Sequence, residues 1–311
     1  MTQANDANSP ETTRDYSRSY REPPVGTSPQ KDLSAIVMSK ADYFRLSKLI
    51  HDCCGIKLPP AKKTMLEGRL RKRLNALGMD SFGTYCDYIF SSEGALAEHV
   101  YMFNAVTTNK TDFFREPDHF DFLSARVLPE LLDLYGLGSR RSLNVWSAGC
   151  STGEEPYTLA MVLSEFTGKR PPFRFSILAT DISTKVLELA ACGIYDCEKA
   201  EPIPKPLRKK YLMKSKDKDR GLVRIVPELR SAVRFERLNL MDENYGIGEP
   251  MGIIFCRNVI IYFDRSTQER LLNRLAGHLI PGGYLFMGHS ESLHRMDLPF
   301  VPIATTIYRK V

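Results

Sequence analysis

Leu143-Asn-Val-Trp-Ser-Ala-Gly-Cys-Ser-Thr-Gly-Glu-Glu-Pro-Tyr157 runs from an apolar, strand-like stretch through a small-residue loop into a helix started by a proline. A nucleotide-like cofactor site opens in this way. Gly149 and Gly153 let backbone approach a ligand closely, whereas Glu154 and Glu155 stand where a phosphate would meet the helix N-terminus. Two carboxylates there disfavour phosphate and suit a cofactor with ribose hydroxyls and a positive centre, such as S-adenosylmethionine. A plain strand-to-helix turn has a similar composition, so the loop alone does not decide the matter.

Working outward, the next apolar run, Phe175-Ser-Ile-Leu-Ala-Thr-Asp181, ends in a carboxylate at the distance one strand–helix–strand unit requires. Asp181 suits either of two roles: acceptor for both ribose hydroxyls, or N-cap of the helix expected from Lys185 to Ala191. A third run, Met251-Gly-Ile-Ile-Phe-Cys-Arg-Asn258, again stops in polar residues. In open α/β sheets ligands bind beyond the carboxyl ends of the strands, so Glu155, Asp181 and Arg257/Asn258 point at one crevice.

Four segments carry a resemblance. Gly153-Glu-Glu-Pro-Tyr157, Phe255-Cys-Arg-Asn-Val-Ile-Ile-Tyr-Phe263, Thr108-Asn-Lys-Thr-Asp-Phe-Phe-Arg-Glu116 and Gly288-His-Ser-Glu291 resemble the signatures of CheR-type chemotaxis receptor methyltransferases, in family order from about Ser39 to the C-terminus. The resemblance implies an α/β protein with the class I S-adenosylmethionine methyltransferase fold, a doubly wound mixed sheet. It also implies a small all-α N-terminal domain and a small β-insertion. The implied activity is transfer of a methyl group to glutamate side chains on the cytoplasmic helices of chemoreceptors, leaving S-adenosylhomocysteine. By position, it assigns cofactor contacts to Asn109, Thr111, Arg115, Glu155, Asp181, Asn239, Leu240, Arg257 and Asn258. Asn239 and Leu240 fall near the adenine, and Arg257, Asn258 and Tyr262 in the segment that closes over adenine and the reacting end. Gly149-Cys150 departs from a common Ala-Ala, without consequence for a backbone-lined pocket.

Length and composition agree with this organisation. The 311 residues exceed the usual single-domain size, and an excess of 43 Lys and Arg over 37 Asp and Glu, a net charge of +6, suggests an acidic partner. The seven cysteines lack zinc-like pairing and the six histidines form no metal-binding array, so no metal is expected and a reducing cytoplasm fits. No segment has the apolar length of a membrane span, and the first residues lack a secretory signal pattern. Residues 1–33, poor in apolar side chains, predict a disordered tail. Residues 34–116 predict an all-α domain. In it Ser39 caps a helix carrying Phe44, Leu46, Leu49 and Ile50 and stopped by Gly55, and a second helix carries the stripe Leu66, Leu70, Leu74 and Leu77. Residues 117–311 predict the methyltransferase domain, interrupted at about 198–233 by the insertion, and closed by strands at Gly283–Gly288 and Phe300–Tyr308.

Methyl transfer to glutamate needs no general base, because a carboxyl of pKa about 4.3 is already ionised at neutral pH. Two residues carry the catalytic expectation. Arg115 would orient the substrate carboxylate or, preferably, hold the methionine carboxylate; Tyr262 would stack on the adenine or line the substrate entrance. The Lys62–Arg73 helix, with Lys62, Arg69 and Arg73 on one face, is either an ordinary solvated face or a docking site for acidic receptor helices, with the insertion as a second contact. His289 and Glu291 are assigned a structural role. Competing readings are a nucleic-acid or small-molecule methyltransferase and a methyltransferase-like receptor reader or cofactor sensor without turnover. Base methylation typically uses an Asn/Asp-Pro-Pro-aromatic element where Arg257-Asn258-Val259 stands, so no nucleic-acid partner is expected, and a monomer is the default.

Overall fold

The computed structural model describes residues 36–136, 141–169, 174–217 and 221–311. The expected N-terminal tail, and residues 218–220 of the charged turn, lie outside the described residues.

Four helices build the first layer: α1 (Lys40–Cys54), α2 (Lys63–Leu77), α3 (Phe82–Ile89) and α4 (Ser92–Val106). Ser39, Ser81 and Ser91 cap α1, α3 and α4 by accepting backbone N–H bonds, and Gly55 and Gly78 end α1 and α2 in the left-handed region. Leu46, Ile50, Leu66, Leu70, Leu74, Tyr85, Ile89 and Met102 are buried in one core. Phe44, expected inside, is 59% exposed; Tyr43 takes the inward position instead, its hydroxyl donating to the Leu58 and Pro59 carbonyls.

After α5 (Pro117–Phe122) and α6 (Leu128–Tyr135), β1 (Ser142–Ala148), α7 (Glu154–Gly168), β2 (Arg174–Asp181) and α8 (Thr184–Cys192) alternate as expected. The chain then forms β3 (Ile194–Asp196), α9 (Lys205–Tyr211), β4 (Leu212–Lys214), β5 (Leu222–Ile225) and α10 (Pro227–Ser231), with β3, β5 and β4 in a separate three-stranded antiparallel sheet. It returns through β6 (Val233–Arg237), β7 (Met251–Cys256), α11 (Arg265–His278), β8 (Leu279–Met287), β9 (Phe300–Ala304) and β10 (Ile307–Lys310). The main sheet has the order β6-β2-β1-β7-β8-β10-β9, parallel from β6 to β8 and antiparallel through β10 and β9.

The strands read as apolar runs because both faces are covered. Val145 faces a core with Tyr157, Leu163 and Phe255, whereas its neighbour Trp146 faces another with Ile254, Leu271 and Leu275. The run Phe300–Tyr308 is two strands rather than one, because Thr306 adopts φ +55° and folds the chain back. Chain order reverses between β1 and β7, and the crevice of such a sheet lies beyond the carboxyl ends at that point.

Candidate active site

A cavity of about 640 Å³ opens there, walled on one side by the ends of β1, β2, β6 and β7 and on the other by the helical domain through Cys54, Ile56, Leu58, Met65 and Arg69. Asn109, Thr111, Arg115, Glu155, Asp181, Asn239, Leu240, Arg257, Asn258 and Tyr262 all line it.

The turn after β1 is held by its neighbours. Gly149 and Cys150 both donate N–H bonds to the Thr180 carbonyl, at 2.8 and 2.9 Å. Ser151, at φ +50°, donates its N–H to Asp181 Oδ2 at 2.9 Å, and Ser183 N donates to Asp181 Oδ1 at 2.9 Å. Burial pushes the Asp181 carboxyl upward and these two N–H groups oppose the shift. Ser183 is the N-cap of α8, so the capping alternative for Asp181 falls, and its free lone pairs can accept from ribose hydroxyls. Gly149 lines the cavity as expected of a ligand-facing glycine, Gly153 does not, and both also meet other parts of the chain. At φ +80° and +96°, a Cβ on Gly149 would lie 2.5 Å from Val259 Cγ2, and one on Gly153 2.9 Å from Ala190 Cβ and Tyr195 Oη.

The two carboxylates that open α7 are buried and separately compensated. Glu154 accepts from Lys199 Nζ at 3.0 Å and Thr152 Oγ1 at 2.6 Å. Glu155 accepts from Ser147 Oγ and from Arg257 Nε, both at 2.7 Å. Arg257, its side chain 2% exposed, also donates to the Arg115 carbonyl at 2.6 Å and lies 3.3 Å from Glu116 Oε2 and His119 Nδ1. Its head group thus ties the end of β7 to Glu155 and to the Asn109–Arg115 loop, where Phe114 and Glu116 take φ +53° and +57°. Burial and Arg257 together hold the His119 imidazole down to about 4. Among the described residues, Glu116, His119 and His289 bring possible metal-ligand atoms within 4.8 Å of one another. The guanidinium beside two of them already supplies the positive charge and opposes a metal ion there.

Glu291 pins the next wall. It is buried, and it accepts N–H bonds from Asn258 at 2.7 Å, Gly288 at 2.8 Å and Ile261 at 3.2 Å, shaping the Asn258–Tyr262 turn. Asn258, at φ +59°, leaves Oδ1 buried with no partner among the described residues. The Asn239 side chain spends both polar groups on structure, Nδ2 donating to the Cys53 carbonyl at 2.7 Å and Oδ1 accepting from Met241 N at 3.1 Å. A ligand near it would meet Leu238, Leu240 and backbone. Arg115 donates to the Lys110 carbonyl at 3.0 Å, and the Tyr262 carbonyl accepts from Lys57 N at 2.8 Å.

The α2 charges do not form one docking face. Arg73 is buried, paired with Glu98 at 2.7 and 2.8 Å. Arg69 turns to the Val106 carbonyl, the Thr107 carbonyl at 3.1 Å and Thr108 Oγ1 at 2.8 Å, fixing the start of the 109–115 loop. Both carbonyls and the buried carboxylate come from elsewhere in the chain, so helical periodicity had no access to these partners. Lys62 and Lys72 stay exposed, and Lys62, Lys57, Lys110 and Arg115 surround the cavity.

A cofactor such as S-adenosylmethionine fits these groups: acceptors at Asp181 and Glu155, the orphan Asn258 Oδ1, apolar Ile182, Leu240 and Val259, and cations at the rim. Local patterns had missed the wall from the helical domain, the Ser151 N–H and the His119–Glu116 support of Arg257, all of which depend on contacts distant in sequence.

Residues 109–309 match the family model "CheR methyltransferase, SAM binding domain", and residues 41–107 match "CheR methyltransferase, all-alpha domain". The chain is 39% identical over 277 residues to a chemotaxis protein methyltransferase of Borreliella burgdorferi, covering 88% of this chain and 96% of that protein. It is 39% identical over 275 residues to the chemotaxis protein methyltransferase of Escherichia coli, covering 88% and 92%.

Proposed function

The chain belongs to the CheR methyltransferase family, and from that premise we propose that it methylates glutamate side chains on the cytoplasmic helices of chemoreceptors, forming methyl esters during sensory adaptation. The observation that carries this reading is the cavity itself: the buried carboxylates of Asp181 and Glu155, for the cofactor, and exposed Lys57, Lys62 and Lys110 along its lining, for an acidic acceptor.

Bound S-adenosylmethionine supplies a methyl group on a cationic sulfur. Asp181 would hold the ribose, Glu155 the amino group of the methionine portion, and Arg115 its carboxylate. Leu240 and the Asn239 backbone would face the adenine, with Asn109, Thr111, Arg257 and Asn258 completing the walls. The acceptor glutamate oxygen forms the new O–CH3 bond as the S–CH3 bond breaks, and the electron pair stays on sulfur. Anion and cation become two neutral products, so excluding water and aligning the three atoms supply most of the acceleration. The enclosing walls suit that demand, and Tyr262 at the mouth would line the acceptor's path.

Docking would use Lys62 and its exposed neighbours, with the 198–233 insertion as a second contact, in a monomer. All seven cysteines are free, which suits the cytoplasm, and no helix among the described residues is long and apolar enough to cross a membrane.

The test is incubation with methyl-labelled S-adenosylmethionine and membranes bearing chemoreceptors. Label on receptors, released by mild base as methanol and lost in Asp181→Ala, is expected. Tight cofactor binding without such label would point to another acceptor or to a reader without turnover.

A further inference from the structure

The three-stranded insertion is rooted against both loops that line the cavity. Tyr195, in β3, donates its hydroxyl to the Thr152 carbonyl at 2.8 Å, and its ring meets Phe113 edge-on at 4.9 Å. Thr152 belongs to the turn carrying Ser151 and Glu155, and Phe113 to the loop carrying Asn109, Thr111 and Arg115. The two loops also touch each other, because Ser151 Oγ donates to the Asn109 carbonyl at 3.0 Å. Just after β3, Lys199 reaches Glu154, whose side chain is only 1% exposed. Neither Tyr195 nor Lys199 lines the cavity.

We propose that Tyr195 and Lys199 are positioning residues for the cofactor: Tyr195 sets the separation of the two cavity loops, and Lys199 neutralises the buried Glu154 that opens the helix carrying Glu155. The geometry leaves little slack for Tyr195, since its hydroxyl sits where a Cβ on Gly153 would lie only 2.9 Å away. Its ring spaces one loop and its hydroxyl grips the other. The case for Lys199 is electrostatic. Two adjacent carboxylates at the start of one helix repel, and each has its own cation, 3.0 Å for Glu154 and 2.7 Å for Glu155. Without Lys199, Glu154 is a buried charge left to Thr152 Oγ1 and the helix N-terminus, directly beside the residue that meets Arg257. The inference rests on the cavity being the S-adenosylmethionine site.

The test is calorimetric titration of the full chain with S-adenosylhomocysteine, in wild type and in the variants Tyr195→Phe, Lys199→Met and Asp181→Asn. Tyr195→Phe keeps the contact with Phe113 and removes only the hydrogen bond. Each of the first two variants should weaken binding about fivefold with unchanged stoichiometry, titrated below its own unfolding temperature. A merely structural role would instead lower the stoichiometry and leave the affinity of the remaining molecules alone. Affinity within about twofold of wild type overturns the assignment for that residue, provided Asp181→Asn loses about tenfold or more. If Asp181→Asn also binds as wild type does, the reading of the cavity fails instead. Should either variant prove less stable, the affinity of the molecules that still bind decides the coupling, because the stoichiometry counts the folded fraction.

Discussion

Two buried arginine–glutamate pairs, one in each domain, use the same chemistry to different ends. Arg73 meets Glu98 through two bonds, at 2.7 and 2.8 Å, stacks over Tyr101 at 4.5 Å, and shares Glu98 with the Tyr85 hydroxyl at 3.1 Å. Arg257 meets Glu155 at 2.7 Å, lies over Phe120 at 5.2 Å, and shares Glu155 with the Ser147 hydroxyl at 2.7 Å. The difference lies in the remaining partners. Every partner just named for Arg73 comes from a helix of its own domain. Arg257 spends Nη1 on the Arg115 carbonyl and on Glu116, at the end of the loop that lines the cavity. A buried pair therefore becomes part of a site when its spare valences reach a loop.

Replacing the arginines should separate the two roles most strongly. Arg73→Met leaves Glu98 buried without its cation and should cost about 3–5 kcal/mol in urea unfolding, while methyl transfer per folded molecule stays near wild type. Arg257→Met should lose a similar amount and, in addition, about 100-fold in turnover, because both cavity walls shift. The double variants Arg73→Met/Glu98→Gln and Arg257→Met/Glu155→Gln should each recover stability, and only the first should match wild type in methyl transfer. A match in both would remove the distinction.

Acid should sharpen the comparison next. The unfolded chain binds a proton at His119 near 6.5, and the folded chain refuses it until about 4, because burial and then Arg257 oppose the charge. The stability linked to neutral His119 is complete above pH 6.5 and lost progressively as pH falls toward about 4. The groups facing that ring are Arg257, Glu116, Asp118 and His289. At the Arg73 pair the Tyr85 phenol is pushed upward by burial and Glu98, so it keeps its proton throughout this range. Urea midpoints between pH 7 and 4.5 should therefore fall less in His119→Gln than in wild type.

The smallest effect concerns the exposed lysines. Lys62→Glu should raise KM for receptor membranes about two- to threefold at low salt and hardly at all at high salt, leaving cofactor affinity unchanged. Equal KM at both salt concentrations would remove Lys62 from docking.

The strand ends, the helix stops and the polar residues after β1, β2 and β7 were legible because they follow from local period and turn chemistry. Ser39 and Gly55 bound α1 as its sequence predicts. The failures were of one kind. Phe44 and Tyr43 both suit a helix face, and only the packing of α1 against its neighbours turns Tyr43 inward. Arg69 and Arg73 look like surface charge at helical spacing, yet Val106, Thr107 and Glu98 claim them. Gly153 looked like a ligand-facing glycine, whereas Ala190 and Tyr195 occupy the space it leaves, and only Gly149 lines the cavity.

The sequence by itself determined the alternation of strand and helix, the identity of the acids at the strand ends and, through its motifs, the family. These depend on neighbours a few residues away. Only the tertiary structure decided that Ser183 caps α8 and leaves Asp181 free, that Arg257 braces Glu155 against the 109–115 loop, and that Tyr195 and Lys199 reach the cofactor turn. The physical reason is that hydrogen bonds and ion pairs form between atoms within about 3 Å, whatever their separation along the chain.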